Sequence, residues 1–277
     1  MLEYYNEAIA EKLEDDNKIG LIAMMDDEGY PHAVFINTIM ALDKNTLAWG
    51  QFIYGMSKRM LPERKNAAFL AVTQDMEVFR GKAVYNHEEK SGEIFERFNM
   101  KPLFRYNSYF GIEKAHLMDI EYAEKPAKLN MLEIVSGALA SRLAVSGVKK
   151  QGDAMNAKTH SLLAQLAGLK FIIYQQDDGF PWIIPCIQAA PAGNGRVVFS
   201  LRPYGKELVE IPDDARVAVY STTMQLQSVL LKGAFRGIKK RGGVKSGVID
   251  IHKVYNPMPP ASGYIYPREP LKKVTEF

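Results

Sequence analysis

Cysteine is all but absent from this 277-residue chain, in which Cys186 stands alone. One thiol cannot build a disulfide framework, which fits a reducing compartment. Its place in the apolar run Trp182-Ile183-Ile184-Pro185-Cys186-Ile187 marks it as a small buried hydrophobe rather than a nucleophile. No uninterrupted apolar segment approaches the length that crosses a bilayer. The opening residues, Met1 to Glu7, hold neither the basic region nor the apolar core of a signal peptide, so the expected location is the cytoplasm. Charge of one sign is scarce too. The 35 Lys and Arg against 32 Asp and Glu leave +3, too little and too interleaved to indicate a nucleic-acid or membrane surface. His32, His87, His116, His160 and His252 lie far apart without metal-ligand spacing, and there is no HExxH or CxxC. Nothing resembles a P-loop or the serine elbow of a hydrolase.

What the chain does have is a succession of short apolar runs punctuated by turn residues. Ile9 and Leu13, with Leu2 and Tyr5 before them, fall at helical spacing and predict an amphipathic opening helix. Strands are expected over Lys18–Met25, His32–Thr38, Thr46–Gln51, Ala67–Val72, Val78–Tyr85 and Ala115–Tyr122, with short helices over Ser57–Arg64 and Ser91–Phe98. Gly81 marks a bulge or a close backbone approach. Strands so short and so regularly spaced favour a closed or nearly closed barrel. Ala127–Val145 carries Leu129, Leu132, Ile134, Val135, Leu139 and Leu143 on a broad apolar stripe, read as a connecting helix packed between two domains, and Ser146–Asn156 reads as a linker. The basic run Lys239–Lys245 reads as an exposed hairpin tip, without the aromatic interleaving that nucleic acid would want. The proline-rich tail from Asn256 reads as an extended arm on the surface.

The second half echoes the first. Asp27-Glu28-Gly29-Tyr30-Pro31 returns as Asp177-Asp178-Gly179-Phe180-Pro181, 150 residues on from Gly29 to Gly179. Tyr54-Gly55 returns as Tyr204-Gly205, Leu61-Pro62 as Ile211-Pro212, and Ala67–Val72 as Val217–Thr222. Gly81-Lys82-Ala83 is echoed by Gly233-Ala234 after a slip of two residues. An internal duplication follows, with boundaries expected at 1–125, 126–156 and 157–277: a barrel, a connecting helix with its linker, and a second, divergent barrel.

Between the third strand and the helix after it lies Tyr54-Gly55-Met56-Ser57-Lys58-Arg59. A glycine turn, a hydroxyl and adjacent cations at a helix start make a small anion site, because free N–H groups and fixed positive charge favour a phosphate. The second copy reads Gly205-Lys206-Glu207-Leu208-Val209. It loses the hydroxyl and gains an acid where an anion would sit, so the second site is expected to be degenerate.

With Gly29-Tyr30-Pro31-His32, Phe35-Ile36-Asn37, Leu47-Ala48-Trp49-Gly50-Gln51 and Gly55-Met56-Ser57-Lys58 running on to Asn66, the first half resembles the flavin-binding split barrels, the superfamily of pyridoxamine phosphate oxidase and small bacterial FMN-binding proteins. The likeness covers about Lys18–Glu124 and, more weakly, Leu169–Gly237. It implies a mainly β fold with inserted helices, built as tandem split β-barrels, with FMN as cofactor. It implies further that Ser57 and Lys58, with Arg59, bind phosphate, that Phe35, Ile36 and Asn37 line the ring and ribityl chain, and that Trp49, Gly50 and Gln51 flank the isoalloxazine or its tail. The basic positions that the oxidase uses on its second strand are apolar here, which argues against pyridoxal chemistry. The implied partner is a small-molecule substrate or electron donor, with neither nucleic acid nor membrane, and the implied assembly a homodimer or an intrachain pseudo-dimer. Three classes stay open: an FMN-dependent oxidoreductase, a non-enzymatic flavin carrier or sensor, and a split barrel using haem or a deazaflavin.

Overall fold

Two antiparallel sheets carry the chain, and one strand order serves both. The computed structural model describes residues 7–52, 56–101, 111–223, 225–257, 261–270 and 272–273. The first half runs α1 (Glu7–Glu14), β1 (Ile19–Met25), β2 (Pro31–Phe35), β3 (Met40–Ala41), β4 (Thr46–Gln51), α2 (Met56–Arg64), β5 (Asn66–Val72), β6 (Glu77–Glu89), α3 (Glu93–Asn99), β7 (Lys114–Ala123) and β8 (Ala127–Lys128). Helix α4 (Met131–Val145) follows. The second half runs α5 (Ala157–Ala164), β9 (Leu169–Gln175), β10 (Pro181–Pro185), β11 (Ala190–Pro191), β12 (Arg196–Ser200), α6 (Gly205–Leu208), β13 (Arg216–Thr222), β14 (Ser228–Arg241), β15 (Val244–Asn256), β16 (Ala261–Tyr266) and β17 (Lys272–Lys273).

The first sheet is ordered β2-β1-β5-β6-β7-β4-β3 and the second β10-β9-β13-β14-β15-β12-β11. Replacing each strand by its counterpart turns one order into the other, and the fold is a pair of tandem split barrels. The register agrees residue by residue. Met24 faces His32 as Tyr174 faces Trp182, and Leu70 faces Arg80 as Tyr220 faces Leu230. The ladder shifts between Lys82 and Ala83 in one half and between Lys232 and Gly233 in the other. Lys82 therefore corresponds to Lys232 at the same offset as the rest, and the two-residue slip read from the glycines is not present. Gly81 is a close approach as expected, since a methyl there would meet the Tyr122 carbonyl oxygen at 2.1 Å.

Strand periodicity explains the cores. Successive side chains of a strand point to opposite faces, so an unbroken apolar run serves two cores at once. On β1, Ile22 and Met24 enter the first barrel while Ile19, Leu21 and Ala23 face the other way. On β9, Ile172 and Tyr174 enter the second barrel while Leu169, Phe171 and Ile173 face out. The outward sets meet. With Leu70, Val72, Ile183 and Tyr220 they form a third core, a seam between the barrels.

Several sequence readings are corrected. Asn37 lies in the turn after β2, because the strand ends at Phe35 where Ile36 N–H bonds the Gly20 carbonyl at 2.8 Å. The proline-rich tail is no loose arm: β16 pairs with β15, although residues 258–260 and 274–277 lie outside the described set. The strand expected to end at Tyr85 runs on through His87 to Glu89 as β6. Of the connecting stripe, Leu129 and Ile134 are buried, but Leu132, Val135, Leu139 and Leu143 are exposed. Helix α4 rests mainly on the second sheet through Gly137, Ser141 and Ala144. Ser141 Oγ accepts the Ser200 N–H at 2.8 Å, and Ser200 Oγ donates to the Gly137 carbonyl at 2.9 Å. Bulky residues cannot take that face, since a methyl at Gly137 would lie 1.9 Å from the Arg202 carbonyl oxygen. The basic run is the β14–β15 hairpin tip, turned by Gly242 and Gly243 at positive φ.

Candidate functional site

The seam is ringed by charged groups, each reaching from one half into the hairpin turn of the other. In the first turn Asp26 accepts the N–H groups of Glu28 and Tyr30 on one carboxylate oxygen, at 2.9 and 2.8 Å. Its other oxygen takes Lys232 Nζ of β14 at 2.6 Å, and that ammonium also lies 2.9 Å from the Tyr264 hydroxyl. Burial lowers the Lys232 pKa, and Asp26 works against that shift. Lys82, the counterpart on β6, pairs with Asp178 in the second turn and lies over the Phe180 and Trp182 rings. Lys253 adds a pair with Glu28 and stands over Tyr30, 5.9 Å from its centroid.

The densest charged cluster is at the turn that opens α6. Glu207, in register with Ser57, accepts Arg80 twice: Nη2 to Oε1 at 2.7 Å and Nη1 to Oε2 at 2.8 Å. Trp182 Nε1 donates to the same Oε2 at 2.9 Å. Arg80 further bonds Glu124 at 2.8 Å and the Ile183 carbonyl at 3.0 Å, and its guanidinium lies 4.8 Å from the Trp182 ring and 5.2 Å from that of Tyr204. Burial opposes the charge on Arg80, but Glu207 and Glu124 outweigh it and hold its pKa above the ordinary value. A bidentate arginine and an indole N–H converging on one carboxylate make a complete anion site, and the anion is the protein's own. The acid expected at a degenerate second site is there. What the sequence did not reveal is its cation, because Arg80 lies 127 residues away and in the other half.

In the first half the same turn has different chemistry. The counterpart of Trp182 is His32, buried and edge-on to Tyr255 with centroids 5.0 Å apart. The counterpart of Arg80 is Leu230, so β14 sends no guanidinium across. The turn into α2 carries Ser57, Lys58 and Arg59. The backbone of α2 is described from Met56, whereas Tyr54 and Gly55 and the side chains of Ser57 and Lys58 lie outside the described residues. Arg59 is exposed and 3.7 Å from Asp27, which Arg64 holds at 2.6 Å.

The other residues expected at a flavin separate into two groups. Phe35 is half-buried against the seam, and Asn37 is half-buried in the turn that follows. Ile36 is 7% exposed, inside the first barrel core. Trp49, 2% exposed, is a core aromatic that stacks on His116 with centroids 4.0 Å apart. Gln51 is buried as well: His116 Nε2 donates to its Oε1 at 2.8 Å, and its Nε2 donates to Glu113 at 2.7 Å. Gly50 exchanges two 3.1 Å bonds with the Thr38 hydroxyl, and a methyl there would lie 2.6 Å from Ile112 Cγ2. Ile36, Trp49 and Gln51 are thus buried in the first half, whereas Phe35 and Asn37 are half-buried.

No family model matches the chain, and no curated protein matches its sequence. Among solved structures it is similar to an FMN-binding protein from Syntrophomonas wolfei subsp. wolfei, with 17% identity, 47% of this chain and 92% of that one covered, and a TM-score of 0.37. A structure described as an F420 reductase matches at 13% identity over 43% of this chain and 98% of that one, with a TM-score of 0.34. The inhibitor of motility MotI/DgrA of Bacillus subtilis spans both halves, with 84% of this chain and 87% of that one covered, at 6% identity and a TM-score of 0.24. The split-barrel fold stands on the strand order and register described above.

Proposed function

We propose that this chain binds FMN in its first barrel and acts as a flavin-dependent oxidoreductase, the second barrel completing the seam without a cofactor of its own. The observation that carries the reading is the Glu207 carboxylate. It supports an anion position at the turn into the small helix, and in the first half that position offers a hydroxyl and two cations in place of an acid. A turn whose own residues carry no acid is suited to take an anion from outside, and a flavin phosphate fits.

In this reading Ser57 and Lys58 grip the phosphate. Phe35 and Asn37 face the ribityl chain and ring from the seam, and Trp49, Gln51 and His116 brace that wall from within. FMN, when bound, supplies the hydride or electron transfer, and the chain supplies its position and its access to solvent. Arg59, already near Asp27, takes a lesser part than its two neighbours.

Titration of the purified chain with FMN, followed by flavin fluorescence, tests this. One FMN per chain is expected, and Ser57→Ala with Lys58→Ala weakens binding about 100-fold while leaving the far-ultraviolet circular dichroism unchanged. Two flavins per chain would refute a closed second site. Failure to bind FMN, with uptake of haem or a deazaflavin instead, would transfer the same anion site to another cofactor.

A further inference from the structure

Helix α4 turns its large side chains away from the barrel on which it rests. Leu132 is 84% exposed, Leu143 61%, Leu139 59% and Val135 57%, and they recur every three or four residues on one face. Met131 and, on the adjoining loop, Leu166 extend the same patch. Scattered apolar residues on a surface are ordinary, but a contiguous set of this size marks a contact. Beside the helix runs a groove of about 140 Å³ lined by Met76, Val135, Leu139, Leu166 and Ile187, with Arg142 at its wall. A dry cavity of similar size accepts a benzene-sized apolar group, so this one has room for a leucine side chain.

We propose that this face is the contact between two copies of the chain, with α4 of one copy crossing α4 of the other about a two-fold axis near Leu139 and a leucine of each copy seated in the groove of the other. The area argues for this occupant. The six exposed side chains present on the order of 600 Å² of apolar surface, and a two-fold contact, which sets a patch against itself, removes on the order of 1,200 Å² in all, the size at which stable pairs begin. Charge is sparse: the exposed leucines and valine carry none, Glu133 lies off their face, and Arg142 is the one charged side chain lining the groove. A helix that lies on an anionic lipid surface would carry lysines and arginines along its flanks, and this one has a single arginine. The inference is independent of what the first barrel binds.

Sedimentation equilibrium of the full chain tests it. The wild-type chain is expected to be dimeric at micromolar concentration, and Leu139→Glu and Leu132→Glu are each expected to weaken association about 30-fold or more with unchanged circular dichroism. Because Cys186 is fully buried, a Leu139→Cys variant offers a clean second reading. It should cross-link to its own copy with a short bis-maleimide, whereas Lys240→Cys on the exposed hairpin tip should not. A wild-type monomer at submillimolar concentration overturns the proposal, as does a dimer that survives both glutamates. So does a monomer that binds phosphatidylcholine vesicles through this face, which would make the occupant a lipid surface.

Discussion

At the turn that follows the third long strand of each half, the first barrel presents Ser57, Lys58 and Arg59, while the second presents Lys206, Glu207 and Leu208. Arg80 faces the second of these turns across the seam, and Leu230 occupies its register position in the other half. The acid and its arginine belong together. With Arg80 and the Trp182 indole N–H upon it, the Glu207 carboxylate supplies an anion from within the chain at its turn. The comparison teaches that two halves with one strand order and one register can carry different charge at equivalent turns.

The sharpest way to break the comparison is Arg80→Leu, which gives the first half the residue that the second carries at Leu230. Glu207 would lose its two guanidinium bonds while still largely shielded from water, at a cost of about 3 kcal/mol in urea unfolding. Adding Glu207→Leu should restore most of that loss, because the charge left behind has been removed as well. Next comes the lysine pair. Lys232→Met should cost about 2 kcal/mol, since the side chain is fully buried and its partner Asp26 keeps its two turn N–H bonds. Lys82→Met should cost under about 1 kcal/mol, because Asp178 is half exposed.

A third difference gives a pH dependence. Lys18 in the first half and Lys170 in the second are buried near the start of β1 and β9, two positions apart in register. Burial, assisted by the nearby Lys101, brings Lys18 from 10.5 down to about 7, and burial brings Lys170 to about 8. Between the folded and unfolded values the unfolded chain holds a proton that the folded chain has released, so stability rises with pH there. Below about pH 7 both states hold it, and the cost of burying the charge is fully present. Wild-type stability should therefore gain on the order of 1 kcal/mol per pH unit from Lys18 above pH 7, and Lys18→Met should flatten the curve in urea titrations between pH 7 and 9.

Much of this architecture was legible in the residues. Paired turns such as Asp-Glu-Gly-Tyr-Pro and Asp-Asp-Gly-Phe-Pro fix two hairpins by local chemistry alone, and the apolar runs between them follow strand period. The acid at position 207 was legible for the same reason. Its partner was not, since a strand residue 127 positions away is reached only through the seam. Trp49 and Gln51 were read as surfaces for a ligand because an indole and an amide serve either role, and only the stack with His116 and the bond to Glu113 assign them inward. The α4 stripe was misread because apolar periodicity marks a face without saying which way it turns. Gly137 decides that, through a carbonyl supplied by a loop far along the chain.

The seam has one consequence that follows from its being built within a single polypeptide. Two barrels that met as separate molecules would part on dilution, and any mutation in one would appear in both. Here the connection through β8 and α4 sets the local concentration of one barrel around the other, whatever the amount of protein in the cell. Each half is also free to change alone. A substitution at Glu207 in the second turn leaves its counterpart at Ser57 untouched.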